Sequence, residues 1–254
     1  MKERVELLRR LHHGERPLVL PNAWDAASAH LVVDAGFPVV ATSSGAIAAS
    51  LGYADADVMP PDEAFAAVAR IARAVEAPVT ADMEAGYGLG PKEFVERLLE
   101  AGAVGCNLED TDHHGDGVLM DAARHADRLA AIVQAFEHAG VPIVVNARID
   151  VFLRSPADGA FDGALDRARR YREAGAACVY PIGLSDPALI HRFVDDAGAP
   201  VNIMARADAP PLATLAELGV ARVSYASGLF RVAKAAIVER LAEISVEAGH
   251  DVTG

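Results

Sequence analysis

The sequence predicts an α/β protein, a single (β/α)8 barrel over residues 1–254 with an extra N-terminal helix and a long C-terminal helix. Three observations carry that prediction. Apolar runs of four to six residues alternate, eight times, with longer helical segments. These runs are apolar throughout rather than at every second residue, as expected of strands covered on both faces. An Ala-Gly pair precedes four of them (Ala35-Gly36, Ala101-Gly102, Ala139-Gly140 and Ala174-Gly175), which reads as one repeated helix stop. An open doubly wound sheet is the alternative, but even spacing without a change of loop style favours closure.

The elements follow in order. Glu3 to His12 is an amphipathic helix. Leu18 to Asn22 is the first strand, and Trp24 to Ala35 a helix closed by Gly36. Pro38 to Ser43 is the second strand, followed by a helix from Pro61 to Val75. Val79 to Asp82 is the third strand. Lys92 to Ala101 is helical, with Pro91 at its start and Gly102 just past its end, the usual asymmetry of helix termini. Val104 to Glu109 is the fourth strand, and Asp121 to Ala139 the next helix. Pro142 to Arg148 is the fifth strand, and Asp162 to Ala174 a helix stopped by Gly175. Ala177 to Ile182 is the sixth strand, then a helix from Pro187 to Ala197. Pro200 to Met204 is the seventh strand, followed by a short helix from Leu212 to Leu218. Ala221 to Tyr225 is the eighth, and a helix from Leu229 to about Val246 closes the pattern.

Bulk properties narrow the function. An apolar fraction of 52% supports a substantial core, and no apolar run is long enough to span a membrane. The N-terminal stretch from Met1 to Glu6 is mixed in charge and leads into no apolar signal core, which argues for a cytoplasmic protein. A formal charge of −13 disfavours nucleic acid as a partner. It also means that a small anionic substrate needs local positive charge. Cys106 and Cys178 sit in apolar strands, as reduced buried thiols would.

Chemistry collects at the C-terminal ends of the strands, where barrel active sites lie. The third strand runs into Asp82-Met83-Glu84, and strand alternation points both carboxylates the same way. Glu109 ends the fourth strand and Arg148 the fifth, with neighbouring strands about 4.8 Å apart. Uncompensated neighbouring carboxylates are costly, and a divalent cation with oxygen ligands removes that cost. Ser43, Ser44, Gly45 and Ala46 after the second strand are small enough to free backbone N–H groups for a carboxylate. This arc could hold Mg²⁺, a chelating 2-oxo acid, and a guanidinium on the substrate's second anionic group. Pairing of Arg148 with one of the acids is the plainer structural alternative.

In order and spacing, six stretches resemble the isocitrate lyase/phosphoenolpyruvate mutase superfamily. They are Pro21-Asn22-Ala23-Trp24-Asp25, Ser44-Gly45-Ala46, Leu51-Gly52-Tyr53-Ala54-Asp55, Asp82 to Gly88, Leu108-Glu109-Asp110 and Asn146-Ala147-Arg148-Ile149-Asp150. The resemblance implies Mg²⁺ near Asp82, with Mn²⁺ as the other fitting dication, and Glu84 and Glu109 in the same shell. It implies that Ser44, Gly45 and Ala46 bind the substrate carboxylate and oxo group, that Asp55 lies close to the reacting bond, and that Arg148 lies against the substrate. It further implies an enolate of pyruvate as the shared chemistry, and dimers or tetramers in which the last helix packs on a neighbouring subunit.

The departures matter. Lyases of that family carry a Lys-Lys/Arg-Cys-Gly loop after strand four, and here the segment is Asp112-His113-His114-Gly115-Asp116-Gly117-Val118. His113 or His114 is the candidate proton donor in its place, since histidine titrates near neutral pH. The aromatic residue usual before Ser-Gly is absent, and Pro181 is followed by Ile182 and Gly183 rather than an acid. The reading that follows is Mg²⁺-dependent cleavage of a C–C or P–C bond in a small 2-oxo acid. The alternatives are mutase-type phosphoryl transfer and a non-catalytic binder of 2-oxo acids. A phosphate-binding biosynthetic barrel fits less well, because Met204 to Arg206 and Ser224 to Gly228 lack paired glycines.

Overall fold

The computed structural model describes residues 1–154 and 159–248. Helix α1 (Lys2–Leu11) buries Val5 and Leu8. Strand β1 (Leu18–Leu20) and strand β2 (Asn22–Ala23) are two pieces of one extended segment. Pro21 separates them because it has no N–H to give to a ladder. Helix α2 (Ala26–Asp34) starts from a reciprocal cap between Asp25 and Ser28. Then come β3 (Val40–Thr42), α3 (Ser44–Leu51), α4 (Pro61–Ala74), β4 (Val79–Asp82), α5 (Pro91–Ala101) and β5 (Gly105–Glu109). The second half holds α6 (Ala122–His138), β6 (Val144–Ile149), α7 (Val151–Arg154), α8 (Ala160–Glu173), β7 (Cys178–Pro181) and α9 (Pro187–Ala197). It ends with β8 (Asn202–Met204), α10 (Leu212–Glu217), β9 (Arg222–Ser224) and α11 (Gly228–Glu247).

All pairings between these strands are parallel. One sheet runs β2-β3-β4-β5-β6-β7 and the other β1-β9-β8. They join at both edges: β1 continues into β2 through Pro21, and Val179 bridges Val201 between β7 and β8. The eight strand positions therefore form a closed ring, and the open-sheet alternative falls away. Strands β5 and β7 are buried from end to end, as their unbroken apolar character predicts.

Two helices were not expected from the sequence, α3 and the short α7. The small residues of α3 carry no apolar stripe to announce a helix, yet Ser43 caps it and Gly52 ends it at φ 86°. Several expected strands are one or two residues shorter at their ends, where fraying is normal. Helix α11 buries none of its residues. Among the described residues no helix is long and apolar enough to cross a membrane. Cys106 and Cys178 are free and buried, and burial pushes both thiols up to about 12, as inert structural cysteines should be.

Candidate active site

Parallel pairing sets the rows of the barrel interior. Asp82 lies level with Asn107, and Asn107 with Asn146. One row higher, Glu109 lies level with Arg148, and Arg148 with Tyr180. In the lower row, Asn146 Nδ2 donates to Asn107 Oδ1 at 2.8 Å, leaving the Asn107 amide nitrogen toward Asp82 Oδ1 at 3.5 Å. Asp82 Oδ2 accepts from the Ser44 N–H at 3.2 Å and the Ser44 hydroxyl at 2.9 Å. Its own N–H donates to Thr42 Oγ1 at 2.9 Å. The small residues after β3 thus meet a carboxylate of the protein itself.

Glu84 reaches the mouth by a different route from the one expected. Strand β4 stops at Asp82, and Glu84 sits at φ 47°, outside any strand. Alternation therefore does not place it. Asp57 does: its backbone N–H donates to Glu84 Oε2, and its carboxylate accepts from the Ala85 N–H at 3.3 Å and the Tyr87 N–H at 3.1 Å. The Tyr87 hydroxyl donates to Glu84 Oε1 at 3.1 Å. Burial, aided by the charges of Asp55, Asp57 and Asp82, pushes the Glu84 carboxyl up to about 8 against the Asp57 hydrogen bond.

Glu109 lies between a guanidinium and an imidazole. Arg148 Nη1 and His113 Nε2 each close on one of its oxygens. Arg148 is fixed from behind by Asp150, which accepts from Nε at 2.7 Å and Nη2 at 3.1 Å. Asp150 in turn accepts from the Thr111 hydroxyl at 2.6 Å, and its N–H donates to Asp110. Asp110 is held by the Tyr171 hydroxyl at 2.8 Å and Arg167 Nη1 at 3.0 Å. The Arg148 pairing anticipated from the sequence is present, and it orders the guanidinium. Burial raises the Glu109 carboxyl, with Arg148 and His113 opposing. For the His113 ring burial works toward neutrality, but Glu109, Asp57 and Glu84 outweigh it and the net shift is upward.

The segment from Asp112 to Val118 forms a small hairpin, closed by the antiparallel bridge of Thr111 with Leu119. Its two histidines part company. The His113 side chain turns into the mouth and is 6% exposed; His114 is 58% exposed, with Nε2 3.4 Å from Asp57 Oδ2.

On the opposite side, Gly45 brings Asp55 in close. A Cβ at Gly45 would fall 2.8 Å from Asp55 Oδ2 and 3.3 Å from Ser227 Oγ. The Ser43 hydroxyl accepts from the Ala46 N–H at 3.3 Å and pairs with Ser227 Oγ at 2.9 Å. That leaves the Gly45 N–H, in the first turn of α3, with no protein acceptor among the described residues. Burial and then Asp82 raise the Asp55 carboxyl, while Arg148, the Ala56 N–H and His113 pull the other way.

The structure thus brings Asp55, Asp82, Glu84, Glu109, Arg148 and His113 to one mouth with the first turn of α3, and leaves His114 at its rim. No three His, Cys, Asp or Glu side chains converge closely enough for direct ligation of one ion, among the described residues. The donor set still suits a hard dication: carboxylate and hydroxyl oxygens, with Asp55, Asp82 and Glu84 at one mouth. A cation with few protein ligands and several waters fits this arrangement; a cage of three carboxylates does not.

Sequence reasoning gave no role to Asp57 or Ser227, nor to Tyr87, Asp110 and Asp150 within the matching stretches. Asp57 left one signal, as a second acid two residues after Asp55 in a Gly-Tyr-Ala-Asp-Ala-Asp run. The partners of Ser227 and Asp110 lie 184 and 61 residues away and left none.

A closed parallel barrel with its polar side chains gathered at the strands' C-terminal ends is the architecture of the PEP mutase/isocitrate lyase superfamily. The chain belongs to the phosphoenolpyruvate phosphomutase family, whose model matches residues 8–245. It is 34% identical over 232 residues to an uncharacterised protein of Mycobacterium tuberculosis (strain ATCC 25618 / H37Rv), covering 89% of this chain and 86% of the relative. It is 30% identical over 224 residues to the 2-methylisocitrate lyase of Escherichia coli (strain K12), covering 84% and 73%. A crystal structure of a candidate phosphonomutase from Burkholderia cenocepacia J2315 superposes with a TM-score of 0.90 at 40% identity, covering 94% of this chain and 99% of that one.

Proposed function

We propose that this chain is a Mg²⁺-dependent enzyme that cleaves a C–C or P–C bond in a small 2-oxo acid. One observation carries the reading. Asp55, Asp57, Asp82, Glu84 and Glu109 crowd one barrel mouth, where burial, aided by the charges of Asp55, Asp57 and Asp82, pushes Glu84 up to about 8. Asp82 would hold the cation, with Glu84 and Glu109 around it. When bound, the dication would draw off the negative charge that develops on the ketone oxygen as the neighbouring bond breaks.

The chain's own residues supply the rest. The open Gly45 N–H at the start of α3 suits the substrate carboxylate. Arg148, fixed in advance by Asp150, suits a second anionic group. The carbon left electron-rich by cleavage must regain a proton, and the raised, inward-facing His113 is placed to give it. Asp55, raised by burial, is suited to accept a proton on the other side. The lyase from Escherichia coli supports the cleavage reading. The family's description supports a second one, phosphoryl transfer within the substrate. Asp112 and Asp116, in a hairpin without lysine, suit a mobile phosphoryl group less well.

The test is pyruvate release from a panel of oxaloacetate-like and phosphonopyruvate-like acids, with and without Mg²⁺. We expect turnover that needs the metal and is lost in Asp82→Ala. A protein that binds Mg²⁺ and oxalate but turns over none of the panel would be a binder, and the proposal would fail.

We also infer that a second copy covers α11. Val232, Ile237, Val238, Leu241 and Val246 all stand exposed along a helix with no buried residue. A homodimer or homotetramer, with exchange of this helix, accounts for them. Sedimentation as a monomer at micromolar concentration would remove this reading.

A further inference from the structure

Between the Asp112–Val118 hairpin (the lid hairpin), the loop after β4 and α6 lies a cavity of about 190 Å³. It is smaller than the roughly 300–1,000 Å³ of pockets that enclose drug-sized ligands, and it suits a group the size of phosphate or acetate. Arg124 and Arg128 line it from α6, His114 from the hairpin, and Gly88 from the loop after β4.

Arg128 is the unusual member. Its Nη1 is fully buried and has no hydrogen-bond partner among the described residues. Its Nη2 lies against the backbone of Gly86, where a Cβ would come within 2.5 Å of it. Burial pulls its pKa down, with Asp57 only partly opposing. A guanidinium carries five donors, and leaving a buried one unsatisfied is costly. Arg124 spends its backbone N–H on the Asp121 cap, and its guanidinium forms no ion pair among the described residues.

The acids that border the cavity are already engaged. Asp57 accepts from two backbone N–H groups of the loop after β4. Asp112 Oδ1 accepts from the N–H groups of His114 and Gly115, at 3.2 and 3.0 Å. The two arginines balance Asp57 and Asp112 in formal charge; what is left unmet is the Arg128 Nη1 donor and the guanidinium of Arg124.

We propose that this cavity is a binding site for a small oxyanion, a phosphate or carboxylate group, held by Arg128 with Arg124 and His114. It adjoins the barrel mouth, sharing Asp57 and His113 with it, but its arginines belong to α6. A bound anion would tie the lid hairpin, that loop and α6 together.

The probe is inorganic phosphate, titrated into the whole protein in EDTA, with chloride at matched ionic strength as control. Thermal unfolding and calorimetry are the readouts. Wild type should bind one phosphate and melt several degrees higher. Arg128→Met keeps the stem and removes an unpaired buried charge, so without phosphate it should melt no lower than wild type. It should also weaken phosphate binding by about tenfold or more, the effect of losing a charged hydrogen bond. Arg124→Gln, on the exposed rim, should weaken binding by up to about fivefold without any folding risk. Gly45→Ala, which crowds the barrel mouth, should leave the response intact. No phosphate effect on wild type, full binding by Arg128→Met, or lost binding in Gly45→Ala would each overturn the proposal.

Discussion

Replacing Gly45 by alanine separates the chemistry of the mouth from the stability of the barrel. The backbone at Gly45 is helical, so the substitution brings no conformational strain, and alanine is the better helix former by up to about 1 kcal/mol. The added Cβ would lie 2.8 Å from Asp55 Oδ2, 3.1 Å from its Cγ and 3.3 Å from Ser227 Oγ. Comfortable contacts begin near 3.5 Å, so the Asp55 carboxylate must retreat by roughly 0.5–1 Å. It is the free end of a flexible side chain, and the retreat costs little. Stability should therefore stay within about 1 kcal/mol of wild type, a shift of about 2–4 °C in Tm for a chain of this size. A misplacement of this size at a reacting group costs about a hundredfold in rate, about 2.7 kcal/mol in the barrier. The assays are thermal unfolding and pyruvate release under the same conditions. Activity within threefold of wild type, in a protein that melts normally, would refute the placement of Asp55 at the reacting bond. A collapse in Tm would refute the claim that only a side-chain tip yields.

Other outcomes follow from the same geometry. Glu84 holds its proton more tightly in the folded protein, at about 8, than in the unfolded chain. Its contribution is therefore fully present below about pH 4.5 and is lost as pH rises through 8, by an amount on the order of a few kcal/mol. Urea unfolding in EDTA should show that loss between pH 5 and 9 in wild type, and Glu84→Gln should flatten it; equal slopes would remove burial as the cause. His113→Asn should cut kcat by about 10²–10⁴-fold, as loss of a general acid does. His114→Ala, at the exposed rim, should cost less than about tenfold, and the reverse order would reassign the proton donor. Leu241→Glu should shift the protein toward monomer in sedimentation equilibrium, because a charge cannot be buried unpaired in an apolar helix contact; an unchanged assembly would place the interface elsewhere.

The legible parts of the site were those written in local sequence. Asp82, Glu109 and Arg148 end apolar runs, and period and register alone carry such residues to one rim of a barrel. Glu84 was placed there for the wrong reason. The strand stops at Asp82, and Glu84 arrives through a left-handed turn that Asp57 braces. The α3 helix was hidden because alanine, serine and glycine carry no stripe, and its first N–H meets Asp82 instead of standing free. The lid read as two equivalent histidines until Glu109 claimed one and solvent the other.

The sequence by itself determined the number and order of the barrel strands, the closed parallel barrel, and which end of it holds acids. These follow from the alternation of apolar runs, helices and stops, which are local properties of the chain. Tertiary structure alone decided which acid is shared, which is raised and which is free. Those states depend on partners brought together over long chain separations, as Arg148 with Glu109 and Tyr171 with Asp110. A carboxylate's charge is set by its burial and by neighbours within a few ångströms, and no spacing along the chain encodes either.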